Sequence, residues 1–526
     1  MNSSTFRASL LRSWPLPALL LIAVVWLYRT PYSASNLEVP PDTVEYAIAP
    51  LQLLETGRYE IIVEGRGLPP RYPPWFPALV ILPAYVLFGH EPGNAILPVT
   101  SLAVAGIGFA YAIGKRISSI PGGVLTGLAL LILPSYGHWS SQVMTDVPCT
   151  ALMLGTCLIY LRLRTKTEPA HLYFGAGALV ALTTLFRPIF AAMLLPFLLA
   201  ALRPGKGRVL RSLMLLAPMA VAAVATFAYN SATFGSPLRN GYNFWAAVPM
   251  DYPAMIFSPS YLRTNLEEIG VTLFLILLPV SIGSWLLAWM QRPAAFAASR
   301  QSFQDAAVFL VLTTVPITLF HLFYFYPDDR FHIPMMAGAA VLAASMLALL
   351  IGPLNENILK VLLPAVFFLA VAARVALPAP LPLRRLAADK VRKYTPENAI
   401  VVSAIDPVYL ARLAGYGSAR RIVPLSRNVE YAWTLLVRKR VDDPRLRLLK
   451  WDDSRALALI RPHAEEAIRF VASERMDELA LEVARGTSVF LESAFVDENE
   501  AKVLAELQAH FKLVQRVPYL YELRLP

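Results

Sequence analysis

Apolar residues arrive in long runs through the first 378 positions, and short polar segments punctuate them. About 20 such residues in a helix cross ~30 Å of hydrocarbon. The pattern predicts membrane helices over 14–29, 94–114, 121–137, 146–161, 171–186, 188–202, 211–229, 269–290, 304–325, 332–351 and 356–378, about eleven crossings. The run 75–88 is also apolar, but it is short and holds Pro77 and Pro83, so it is expected to lie in the interface. Beyond 380 the pattern changes. Stretches 399–403 and 488–492 read as buried strands, 422–425 as a weaker one and 518–525 as a closing strand, with helical spacing over 463–484 and 497–511. The expected fold class is a polytopic α-helical membrane protein, 1–380, followed by a small α/β domain, 381–526.

Composition narrows the class. The 526 residues are 56% hydrophobic and 16% charged, which excludes an ordinary soluble protein and a disordered one. The net charge of +11 comes without a basic stripe interleaved with exposed aromatics, so nucleic acid is not an expected partner. Much of the excess sits in alternate short loops: Lys115 and Arg116; Arg162, Arg164 and Lys166; Arg203, Lys206, Arg208 and Arg211; Arg292 and Arg300; Lys360. Placed inside, these loops satisfy the positive-inside rule with a cytoplasmic N-terminus and a retained signal anchor. The long loops 30–93 and 230–268, the links at Arg187 and at Asp328, and the C-terminal domain then share the outer face. Cys149 and Cys157 fall in one apolar segment, which gives neither a disulfide framework nor a C-x-x-C metal motif.

The first outer loop holds the densest candidate chemistry. Asp42 follows two prolines just past the first helix, with Glu45 three residues on. The pair reads as a helix cap or as a base with its partner, able to take a hydroxyl proton as an acceptor attacks; both readings stand. Arg71, beside Tyr72-Pro73-Pro74, is the arginine best placed to fork onto a lipid phosphate. Arg58 and Arg66 read instead as contacts to anionic head groups. Asp146 opens a crossing as a cap or as a site carboxylate. Arg187 stands in a tight outer link and is suited to a carrier phosphate or to snorkelling. Asp328-Asp329-Arg330-Phe331-His332 offers local ion pairing or substrate contact, and His321 reads as structural. The second long loop supplies hydrogen-bonding side chains, Asn230 and Tyr242 among them. No His/Glu spacing resembles a zinc site, so no cofactor is required, although distant loops leave a divalent metal open. Nor is there a glycine fingerprint for a nucleotide.

Asp42 with Glu45-Tyr46, Gly57-Arg58-Tyr59, Tyr72-Pro73-Pro74-Trp75-Phe76-Pro77, Thr145-Asp146-Val147-Pro148, Arg187-Pro188, Phe234-Gly235-Ser236-Pro237 and Arg330-Phe331-His332-Ile333-Pro334 recur in that order. This set resembles the GT-C membrane glycosyltransferases of the protein O-mannosyltransferase and aminoarabinose-transferase type, family 39-like, over 10–380. The resemblance implies inverting transfer of a single hexosyl or pentosyl unit from a polyprenyl-phosphate-linked donor, at the outer face of a bacterial inner membrane. It implies Asp42 as catalytic base, interfacial helices around the site, and Arg71/Tyr72, Arg187 and Arg330 near the carrier phosphate. The acceptor would be a protein, a lipid or a glycan. Two departures stand out: Thr43 follows Asp42 where many relatives have an adjacent acidic pair, and Tyr72 stands where some have lysine. A transporter or flippase of lipid-linked saccharides is the first alternative. It calls for ionisable residues at mid-membrane, which the spans almost lack. A non-catalytic envelope assembly factor is the second.

Overall fold

In the computed structural model the chain is described at residues 14–28, 41–63, 66–164, 170–204, 207–245, 250, 256–351, 356–376, 383–415, 419–425, 475–496 and 498–526. Two compact units emerge. One comprises 1–32, 96–226 and 259–379; the other comprises 33–95, 227–258 and 380–526.

The first unit is helical. Helices occupy all of the apolar runs expected to cross, and among the described residues six are long and apolar enough to span a membrane: Pro92–Ile132, Asp146–Leu163, Arg208–Phe234, Val271–Gln291, Pro293–Leu322 and Asp329–Ile351. The first of these is two helices broken at Ser118–Ser119, where Ser119 takes φ 73°. The expected span 121–137 ends instead at Ile132, because Pro134 cannot continue the helix and opens a short one, Pro134–Trp139. Helix Ile333–Ile351 packs against Ile96–Ile132, Leu278–Gln291 and Pro293–Leu322. Its buried face is rich in small residues (Ala337, Gly338, Ala340, Ala343, Ala344), which let membrane helices approach closely.

The second unit gathers the polar segments. Helix Pro41–Thr56 buries Val44, Ala47, Ile48 and Leu51, an i, i+3, i+4, i+7 stripe. It ends at Gly57, whose φ of +74° is the left-handed stop that favours glycine. A hairpin of β1 (Ile61–Val63) and β2 (Arg66–Leu68) follows. The run expected at the interface forms a π-helical turn, Pro77–Ile81, continuing into helix Leu82–Phe88; Leu79, Val86, Leu87 and Phe88 stay exposed. The C-terminal portion folds around a five-stranded sheet ordered β4-β3-β5-β7-β6: β3 Ile400–Ser403, β4 Arg421–Pro424, β5 Val489–Glu492, β6 Lys512–Val517 and β7 Leu520–Arg524. β4, β3 and β5 run parallel, and β7 and β6 antiparallel. Every β3 and β5 residue is buried, as continuous apolar strands of a covered parallel sheet should be. Helix Glu498–His510 matches its expected place, and of the expected helix 463–484 the part 475–484 is helical, the rest lying outside the described residues.

Candidate active site

Helix Pro41–Thr56 starts two residues earlier than a cap at Asp42 requires, which puts Pro41 at the first helical position and Asp42 at the second. A carboxylate there is favoured by the helix dipole, yet its side chain turns to Arg71, whose Nη1 donates to Oδ1 at 3.4 Å. Glu45 is not the second half of a capping box. Its Oε2 accepts the Arg71 backbone N–H at 2.6 Å, and its Oε1 lies 3.7 Å from Nη2 of the same arginine. One arginine thus serves two carboxylates. Glu45 is buried and Asp42 keeps 15% of its side chain open, so the exposed member is the one expected as base.

The segment bearing Arg71 is pinned from several directions. Trp245 Nε1 donates to the Pro69 carbonyl at 2.8 Å, and the Tyr59 hydroxyl donates to that of Tyr72 at 3.1 Å. Gly241 lies so close to the Arg71 backbone that any side chain there would collide with it. Tyr46 stacks on Tyr72 with centroids 4.2 Å apart, and Tyr242 meets Tyr72 edge-on at 5.5 Å. Burial drives the Tyr59 and Tyr72 phenols well above their usual range, so both remain neutral donors. Asn230 Nδ2 donates to the Pro237 carbonyl at 3.1 Å and closes the turn after helix Arg208–Phe234.

Burial also pushes the Glu45 carboxyl from 4.5 to about 7, against the pull of Arg71. Between those two values the folded protein holds a proton that the unfolded chain has released. Stability from this residue therefore falls as pH rises from about 4.5 to about 7 and is level above. Glu45→Gln is expected to remove that fall, and thermal unfolding followed from pH 5 to pH 8 checks it. Equal pH slopes in the two proteins would refute the assignment.

The helical unit carries a second cluster. Pro188 forces Arg187 out of the helix into extended backbone, φ −151° and ψ 107°. From there Nη1 donates to Oδ1 of Asp146, the first residue of helix Asp146–Leu163. The turn Asp329–His332 is capped by Asp328, which accepts from the Arg330 N–H at 3.1 Å and pairs with its Nε at 3.0 Å. Asp329 takes Trp139 Nε1 at 2.8 Å and the Ser135 hydroxyl at 2.6 Å. The two guanidiniums flank one ring: Arg187 and Arg330 each lie 5.0 Å from the Phe331 centroid, with Trp139 5.3 Å from Arg330. His321 stacks on Phe331 at 4.7 Å. His332 is fully buried, and neither ring nitrogen has a hydrogen-bond partner among the described residues.

The structure therefore brings Asp42, Glu45, Tyr46, Arg71, Tyr72 and Tyr242 into one cluster, and Asp146, Arg187, Arg330 and His332 into another. Sequence reasoning did not assign Tyr59, Trp245, Trp139 or Phe331 to either. All four stood in quoted or loop motifs, but apart from Arg330 beside Phe331 the partners named here lie too far along the chain to be read.

Residues 71–231 match the family model described as dolichyl-phosphate-mannose-protein mannosyltransferase. No curated protein matches in sequence. Among solved structures, the chain is similar to ArnT from Cupriavidus metallidurans in the apo state, with a TM-score of 0.59 at 15% identity over 99% of this chain and 98% of that one. It is likewise similar to the same protein bound to undecaprenyl phosphate, with a TM-score of 0.56, 15% identity and the same coverage. At that identity the likeness is one of fold. This is the polytopic GT-C architecture with its small C-terminal sheet domain.

Proposed function

From that fold and the acid–arginine–tyrosine cluster of the first loop, we propose that this protein is an inverting membrane glycosyltransferase. It would move one sugar, hexosyl or pentosyl, from a polyprenyl-phosphate donor to an acceptor at the outer face of the membrane. The observation that carries the reading is Asp42, partly open to solvent, held against Arg71 within a wall of tyrosines. In this mechanism Asp42 takes the proton of the acceptor hydroxyl or amine. The acceptor attacks the anomeric carbon as the bond from that carbon to the phosphate oxygen breaks, and the configuration inverts. The polyprenyl phosphate leaves with the bonding pair. Arg71, Arg187 and Arg330 are assigned to the carrier phosphate on their chemistry, since fixed cations stabilise a leaving group as its charge grows. With these cations present the reading requires no metal.

Outer-face action is supported by the basic inner loops and by the packing of the first loop with the C-terminal portion in one unit. Purified protein would be incubated with labelled polyprenyl-phosphate sugars and a membrane extract, and the labelled products identified by mass spectrometry. Transfer is expected with one donor class and not with an Asp42→Asn control. Labelling no greater than that control with every donor would overturn the reading.

A further inference from the structure

Helix Pro41–Thr56 carries Asp42 and Glu45 in its first two turns and Glu55 at its far end. Glu55 is gripped from the C-terminal portion. Arg412 donates from Nη1 to Oε2 at 2.5 Å and from Nη2 to Oε1 at 2.7 Å, a fork onto both oxygens. Both side chains are only 9% exposed. His90 Nδ1 adds a contact to Glu55 at 3.2 Å. A second arginine of the same portion, Arg385, reaches Glu91 at 3.1 Å, just past the end of helix Leu82–Phe88. Beside Arg412 in sequence, the short helix Pro407–Leu410 packs on helix Pro41–Thr56 and on β1. Its cap, Asp406, accepts the Tyr409 N–H at 3.0 Å and feels the charge of Arg71.

The gripped helix has reason to need a brace. Pro50 deletes a backbone hydrogen bond at its middle, and the left-handed Gly57 ends it in an open turn that the Thr56 hydroxyl ties, accepting the Arg58 N–H at 3.3 Å. A misplacement of about 1 Å at a reacting group can cost roughly a hundredfold in rate. We propose that Arg412 is a positioning residue for the transfer reaction: by its fork onto Glu55 it makes the C-terminal portion the brace of the helix that bears Asp42 and Glu45. The kinetic half of this inference rests on the glycosyltransferase reading; the docking half does not.

The full-length protein in detergent is compared with Arg412→Ala, Arg412→Lys, and the charge swap combining Glu55→Arg with Arg412→Glu. Donor-site integrity is read from quenching of tryptophan fluorescence by undecaprenyl phosphate, and docking from release of the C-terminal portion by trypsin. Arg412→Ala is expected to lower kcat at least tenfold, keep undecaprenyl phosphate affinity within twofold and accelerate tryptic release. Arg412→Lys should recover only part of kcat, and the swap most of it. Arg263→Ala, in the exposed Arg263–Glu267 pair (91% and 64% exposed), should match wild type. The inference is overturned if Arg412→Ala keeps kcat within twofold. It is also overturned if kcat is lost while tryptic resistance is unchanged, or if the swap restores neither. Should the wild type transfer no sugar, the proposed function fails alone, and faster tryptic release from Arg412→Ala still supports the brace while unchanged release removes it.

Discussion

Asp42→Asn is expected to lower turnover by roughly a thousandfold, inside the range typical for loss of a general base, while affinity for undecaprenyl phosphate stays within twofold. The substitution keeps the shape and the place at the second position of helix Pro41–Thr56. It removes the charge that can accept a proton. Arg71 retains Glu45 as its partner through the backbone N–H and Nη2, so the loop has no new orphaned cation. Glu45 cannot simply inherit the role, because its carboxyl is buried and its Oε2 is already occupied by the Arg71 amide. Single-turnover transfer from labelled donor separates chemistry from product release. A variant whose single-turnover rate fell within threefold of wild type would remove Asp42 as the base.

How much of this was legible depends on the distance between partners. The strands β3 and β5 could be read because Ile400-Val401-Val402 and Val489-Phe490-Leu491 are apolar without interruption, the mark of a strand covered on both faces. β6, Lys512–Val517, could not: it is an edge strand mixing Lys512, Gln515 and Arg516 with Leu513 and Val514 in no clean alternation. The hairpin of β1 and β2 has strands of three residues, shorter than any periodicity can show. Helix Leu383–Tyr394 escaped notice because it buries only Ala387, Ala388 and Val391 beneath a strongly basic surface. In the site, Asp42, Glu45 and Arg71 were legible as residue types crowded into one loop. Their geometry was not, and the capping-box spacing pointed Glu45 the wrong way, since a buried carboxylate gains more from an arginine's amide and guanidinium than from a helix-end amide. Partners such as Trp139 with Asp329, or Glu55 with Arg412, lie in different parts of the chain and leave no local pattern.

The Arg187–Asp146 pair separates a structural from a functional account by asymmetry. Asp146 is 3% exposed and Arg187 19%, so breaking the pair by removing one partner should cost about 3–5 kcal/mol. Arg187→Met leaves a buried carboxylate, relieved only in part by the N-terminus of helix Asp146–Leu163. It is expected to lower thermal stability and also to weaken undecaprenyl phosphate binding at least tenfold. Asp146→Asn leaves the guanidinium over the Phe331 ring, where an incoming phosphate no longer competes with a carboxylate; stability should fall while binding holds or tightens. The double variant, Arg187→Met with Asp146→Leu, removes both charges and should recover most of the stability. Its binding should stay as weak as that of Arg187→Met, because packing has been repaired and the cation proposed for the phosphate has not been restored. Fluorescence quenching and thermal unfolding, measured on the same four proteins, give both readouts. If binding returned together with stability in the double variant, Arg187 would be a strut for its helix end and the carrier phosphate would have to be held elsewhere.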